Sequence, residues 1–181
     1  MYGMIHQALR DMAIRQIGEP EWAALVQGTG HSQPLFIGME YYSDETTMAL
    51  IDLLAARLEM PLDALLREFG RGWVSFAGAS EYGRILRMAG SDLVTFLESL
   101  DRMHASIRSN MPKAEMPSFE LVEVRGPTLV LRYRSRRVGL EPFVQGILMA
   151  VTQRFGETAS VSYSREDGGA LFVIRRDAAH A

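Results

Sequence analysis

The sequence predicts an α+β protein: an N-terminal helical lobe followed by a four-stranded antiparallel sheet with one inserted helix. Three observations carry this. Apolar residues recur at three- and four-residue spacing through the first two-thirds of the chain. After Pro117 the pattern changes to short β-rich runs. Two turn-forming clusters, Arg125-Gly126-Pro127 and Asp167-Gly168-Gly169, each separate a pair of those runs.

Met1, Met4, Ile5, Ala8, Leu9 and Met12 form one stripe on an opening helix, and a short helix, EWAALVQ, follows Pro20. After the turn-rich GTGHSQP, Ser43 is placed to cap an amphipathic helix from about Asp44 to Met60, which Pro61 ends. Pro61 also suits the first turn of a helix that stops near Gly70, beyond which Trp73, Val74 and Phe76 continue an apolar segment toward Gly78. Ser91 is read as the cap of SDLVTFLESLDRMHASIRSN, whose inward face carries Leu93, Phe96, Leu97, Leu100, Met103, His104 and Ile107. Pro112 and Pro117 forbid continuous helix. The runs FELVEV and PTLVLRYRS then pair, a helix spans about Glu141 to Phe155, and SVSYS and ALFVIR form the last hairpin before a tail that frays after Arg176.

With 181 residues, 48% hydrophobic and 23% charged, the chain reads as one soluble domain, 1–181, with a helical subdomain over about 1–111 and an α/β subdomain over about 112–181. A net charge of −3 offers no basic field, so neither nucleic acid nor an anionic membrane is an expected partner. The absence of Cys excludes disulfides, thiolate nucleophiles, iron–sulfur clusters and Cys-ligated zinc, leaving His, carboxylate or a cofactor to hold any metal. The amino terminus mixes Arg10 and Asp11 into its apolar pattern, unlike a signal peptide or membrane span, so a cytoplasmic location is expected. The 11 Met residues point to an adaptable core.

Two features bear chemistry. On the run from Leu129, alternation puts Tyr133, Ser135 and Arg137 on the side of Leu129 and Leu131, a line of donors able to hold carboxylates. Local hydrogen bonds, with Arg137 meeting Asp44 or another acid, account for the same residues. His104, inward on an apolar helix, is either a satisfied core residue or a ligand. His6 falls between the sides of the opening stripe, while His31 and His180 read as solvent-exposed.

Taken together, His104, Pro117 thirteen positions later, and Tyr133-Arg134-Ser135-Arg136-Arg137 resemble the proximal histidine, proline and YxSxR signature of the heme nitric oxide/oxygen-binding (H-NOX) family. That family includes the heme domain of soluble guanylate cyclase. The opening MYGMIHQAL, Phe69-Gly70 and RVGLEPFVQGIL extend the resemblance over nearly the whole chain.

The resemblance implies a heme b (iron protoporphyrin IX) buried between the lobes. His104 would be the axial iron ligand, with Leu100 and Met103 keeping water from its side, and Tyr133, Ser135 and Arg137 would hold the propionates. Pro117 would press on the porphyrin, Ile5 and Leu9 would line the distal side, and Asp44 lies near an acid that pairs with the signature arginine. Oxygen-binding relatives place a tyrosine where Phe143 aligns; Val74 is also apolar, and Ile147 lies one turn beyond Phe143. A distal wall without a donor favours nitric oxide over oxygen, so the implied function is a nitric oxide sensor with a five-coordinate ferrous heme. The implied switch is strain relayed through His104 and Pro117 to a separate histidine kinase or diguanylate cyclase, with no catalytic output in this chain. An oxygen or carbon monoxide sensor on the same fold, a heme enzyme and a heme-free binding domain are the alternatives.

Overall fold

The chain, in a computed structural model that describes residues 1–31, 35–80, 83–111 and 113–177, opens with helix α1 (Gly3–Gly28). This helix joins the expected opening helix and the segment after Pro20 across a kink. Gly18 makes the kink at φ 78° and ψ 166°, a state that disfavours any residue with a Cβ, and Pro20 follows at the start of the second limb. Helix α2 (Asp44–Arg57) starts as expected, with Ser43 Oγ accepting the Thr46 N–H at 3.1 Å.

Helix α3 (Leu62–Ala79) corrects the expected stop near Gly70. It runs on because Gly70 serves close packing rather than termination. A Cβ at Gly70 would lie 2.0 Å from the Phe143 carbonyl oxygen, and a Cβ at Gly146 would lie 2.0 Å from that of Arg67. Each glycine thus accepts the backbone of the other helix, α3 crossing α6 (Glu141–Arg154). A six-residue helix, α4 (Gly83–Met88), was not expected. Helix α5 (Leu93–Asn110) is capped by Asp92, whose carboxylate accepts the Thr95 N–H at 2.9 Å, and not by the neighbouring Ser91.

The strands are β1 (Ser118–Arg125), β2 (Thr128–Arg134), β3 (Ala159–Glu166) and β4 (Gly169–Arg176), all antiparallel in the order β1-β2-β4-β3. Both predicted hairpin turns are present, with Gly126 and Gly168 at positive φ. The expected fraying after Arg176 falls on residues 178–181, outside the described residues apart from Asp177. No helix among the described residues is long and apolar enough to cross a membrane.

Two cores result. The helical lobe packs Leu9, Trp22, Leu50, Leu54, Leu65 and Phe69, while the second core packs Leu129, Leu131, Phe172 and Ile174 of the sheet with Leu97 of α5 and Leu148 of α6. His6 belongs to the first core and is fully buried. Its Nε2 lies 2.9 Å from Thr47 Oγ1, and its ring stacks on Phe36 at 4.3 Å. His31, expected to face solvent, is half-buried and stacks on the same Phe36 at 4.8 Å.

Two outcomes follow from this packing. Gly70→Ala should destabilise the fold by about 1–3 kcal/mol through overpacking, whereas Gly72→Ala on the same helix, where an added Cβ meets nothing within 4 Å, should be neutral or stabilising in thermal melts. Burial, with the terminal ammonium and His31 adding to it, holds the His6 imidazole down to about 4. Between its ordinary value and about 4, only the unfolded chain takes up this proton, so stability falls as pH drops through that window. His6→Gln should flatten that part of the stability–pH curve, removing on the order of 3 kcal/mol of acid sensitivity.

Candidate functional site

A cavity of about 250 Å³ separates the helical lobe from the sheet. The first turn of α1 contributes Met4 and Ile5; α3 contributes Trp73, Val74 and Ala77; α5 contributes Leu100, Met103 and His104; and α6 contributes Phe143, Val144 and Ile147. Pro117, Tyr133, Ser135 and Arg137 complete the set that the sequence singled out, with one exception. Leu9 is not on this wall. Only the first turn of α1 reaches the cavity, and one turn later Leu9 is enclosed in the helical core with no exposed surface.

His104 is fixed by the residue thirteen positions further on. Its Nδ1 lies 3.1 Å from the Pro117 carbonyl oxygen, which can only accept, so Nδ1 carries the hydrogen and Nε2 keeps its lone pair. Phe119 packs beside the ring at 5.5 Å. Burial pushes the His104 pKa below its ordinary value despite the opposing Pro117 bond, so the imidazole is neutral at neutral pH. A second latch lies one turn earlier on α5, where Asp101 Oδ1 accepts the Phe119 N–H at 2.6 Å. Helix α5 is thereby tied to the start of β1 at two points.

Tyr133 lies where alternation predicts, beside Leu129 and Leu131 on the inner face of β2, and is 3% exposed. Burial pushes its phenol up, against a hydrogen bond with Ser135, and keeps it a protonated donor. The expected straight row does not extend further. Strand β2 ends at Arg134, so Ser135 and Arg137 stand in the following turn, where Ser135 Oγ accepts the Arg137 N–H at 3.0 Å. They still reach the cavity, by turn geometry rather than strand alternation.

Arg137 meets Asp44 from two donors, Nε to Oδ2 at 2.7 Å and Nη2 to Oδ1 at 3.2 Å, while Nη1 donates to the Glu115 carbonyl at 2.7 Å. The terminal ammonium adds a contact to Asp44 at 2.9 Å. Burial opposes ionisation of Asp44, but the hydrogen bonds from Arg137 and the ammonium outweigh it and hold the carboxyl below its usual range. Burial likewise opposes the Arg137 charge, and Asp44 more than restores it.

The chemistry of this donor set is selective. Among the described residues no group of three or more His, Asp or Glu could hold a bare metal ion, and the wall offers one neutral imidazole in apolar surroundings. A metal that brings its own equatorial ligands on an apolar disc fits. Carboxylates on the disc's edge would find Tyr133, Ser135 and Arg137 at one end of the cavity. Heme has those properties. Sequence reasoning missed Trp73, Met4 and Ala77 as wall residues. Trp73 and Ala77 follow once α3 is carried past Gly70, since both then fall on a continuous helix.

Comparison with known proteins agrees with this chemistry. A family model described as Haem-NO-binding matches residues 2–163. Soluble guanylate cyclase gcy-35 of Caenorhabditis elegans is 30% identical over 173 residues, covering 92% of this chain and 25% of that protein. Soluble guanylate cyclase 89Db of Drosophila melanogaster is 27% identical over 180 residues, covering 97% of this chain and 27% of that protein. The chain thus spans about a quarter of the length of these curated relatives. Among solved structures, an H-NOX protein from S. oneidensis in the Fe(II)NO ligation state superimposes with a TM-score of 0.88 at 18% identity, over 98% of this chain and 100% of that one. The unliganded Fe(II) H-NOX protein from K. algicida gives 0.84 at 22% identity, over 100% and 99%. An oxygen-binding H-NOX domain in its oxygen complex gives 0.80 at 19% identity, over 98% and 96%. With a neutral histidine on an apolar interlobe cavity and a family match over nearly its whole length, the chain belongs to the Haem-NO-binding (H-NOX) family of heme-binding gas-sensor domains.

Proposed function

We propose that the chain is a stand-alone sensor of nitric oxide, of bacterial type, which signals to a separate protein of the histidine kinase or diguanylate cyclase class. When bound, the heme supplies a ferrous iron with an open position for a diatomic gas. His104 would hold that iron through Nε2, the nitrogen that the Pro117 bond leaves free of a proton. Tyr133, Ser135 and Arg137 would hold the propionates, with Asp44 fixing the guanidinium. Leu100 and Met103 would exclude water beside His104, and Pro117 would press on the ring.

The observation that carries the gas preference is the α6 wall. Phe143, Val144 and Ile147 face the cavity, joined by Ile5 and Val74, and none has a hydroxyl or N–H on its side chain. Bound oxygen draws charge and gains from a donor, whereas nitric oxide needs none. Transmission would use the α5–β1 latches. A displaced His104 ring pulls on the Pro117 carbonyl, and Asp101 moves with it against Phe119. A gas shifts this arrangement only as far as it binds one state better than the other.

Donors elsewhere on the lining favour oxygen, namely the Tyr2 and Tyr41 hydroxyls and the Trp73 indole. Trp73 lines the cavity from α3, and its indole N–H has no hydrogen bond among the described residues. Visible spectra of the reduced, heme-loaded protein separate the readings. We expect nitric oxide to shift the spectrum and air to leave that of the reduced form, with heme lost in His104→Ala and retention weakened about tenfold or more in Arg137→Ala. A stable new spectrum in air, abolished by Trp73→Phe, would replace nitric oxide by oxygen.

A further inference from the structure

The segment from Leu35 to Tyr42 is strapped to the start of α1. Met4 N–H donates to the Gly38 carbonyl at 3.1 Å, Gly3 N–H to that of Glu40 at 2.8 Å, Tyr42 N–H to that of Met1 at 2.8 Å, and Gln7 Nε2 to that of Phe36 at 2.8 Å. Phe36 is 4% exposed and sandwiched between the stacked rings of His6 and His31. Gly3 shows how close the strap lies, since a Cβ there would stand 2.1 Å from the Ile37 carbonyl oxygen.

This anchoring turns alternate side chains outward. Leu35 is 62% exposed, Ile37 59%, Met39 57% and Tyr41 42%. A main chain so firmly tied, turning at Ile37–Glu40, that still presents a group of large apolar side chains to water has the form of a docking strip.

Charge limits what can dock. Residues 16–56 contain Glu19, Glu21, Glu40, Asp44, Glu45 and Asp52 and no Lys or Arg, although the whole chain carries only −3. Arg10, Arg57 and Arg137 pair with Glu19, Glu21 and Asp44. Among the described residues no Lys or Arg pairs with Glu40, which lies within the strip, or with Glu45, just beyond it. A second copy docking strip to strip would bring acid against acid, and an anionic lipid surface would be repelled likewise. We infer that Leu35, Ile37, Met39 and Tyr41 form the docking strip for the signalling partner, a protein surface with an apolar centre and a Lys/Arg rim.

The inference rests on the sensor reading for the partner's role, but its location is physically linked to the site. The turn of α1 that holds the strap also places Met4 and Ile5 on the cavity wall, and Tyr41 itself reaches that wall. A movement of that turn is therefore felt at the strip.

The test uses a synthetic amphipathic helix of leucine and lysine as probe, the same helix with glutamate for lysine as control, and the heme-loaded protein as wild type and Leu35→Ser/Ile37→Ser. Binding is followed by amide chemical shifts, self-association by sedimentation, and lipid binding with phosphatidylserine vesicles. We expect the lysine probe to shift residues 35–41, to bind less tightly as salt rises, and to weaken about tenfold or more in the variant. The control should not bind. Equal binding by the variant, shifts confined elsewhere, self-association through the strip, or vesicle binding through it would each overturn the inference. The nitric oxide spectrum is recorded on the same samples. A normal gas response without strip binding refutes the strip alone, and strip binding without a gas response refutes the sensor reading alone.

Discussion

The hydrogen bond from the His104 ring to the Pro117 carbonyl is the contact on which the site depends. It settles which ring nitrogen carries the proton, aims the other at an apolar cavity, and does so from the loop that leads out of the helical lobe into the first strand. Without it the ring could take either tautomer and rotate. With the Asp101–Phe119 bond one turn away, helix α5 and the start of β1 are joined at two points, the route that the proposed signal from the imidazole would take.

The opposite wall is built by a different constraint. Helices α3 and α6 approach until Gly70 and Gly146 meet the carbonyls of the facing helix, and this contact sets the depth at which Phe143 and Ile147 on one helix and Trp73 and Val74 on the other face the cavity. Side chains larger than hydrogen at the crossing would spread the helices and enlarge the distal space. The third support is ionic, with Asp44 at the start of α2 holding Arg137 across a separation of 93 residues and so joining the lobes at the end of the cavity where carboxylates would sit.

Much of this was legible in the chain. Helical spacing gave α5 its inward His104, alternation gave Tyr133, and the turn clusters gave both hairpins, because each is a local property. What was not legible depended on partners distant in sequence. Gly70 looks like a helix terminator until the crossing helix is present, and with α3 cut short Trp73 could not be placed on the wall. Leu9 shares an apolar stripe with Ile5, and only the position of α2 and α3 shows that one residue meets the core and the other the cavity. Ser135 and Arg137 still line the cavity although the strand expected to carry them ends at Arg134.

The most direct measurement is the low-frequency resonance Raman spectrum of the reduced, heme-loaded protein with natural and nitrogen-15-labelled histidine. A band assigned to the iron–imidazole stretch should shift on labelling, and in His104→Gly supplied with free unlabelled imidazole it should reappear without the shift. A labelled-histidine band that persists in His104→Gly would contradict His104 as the ligand, and with it the proposed link between the cavity and the ligand helix.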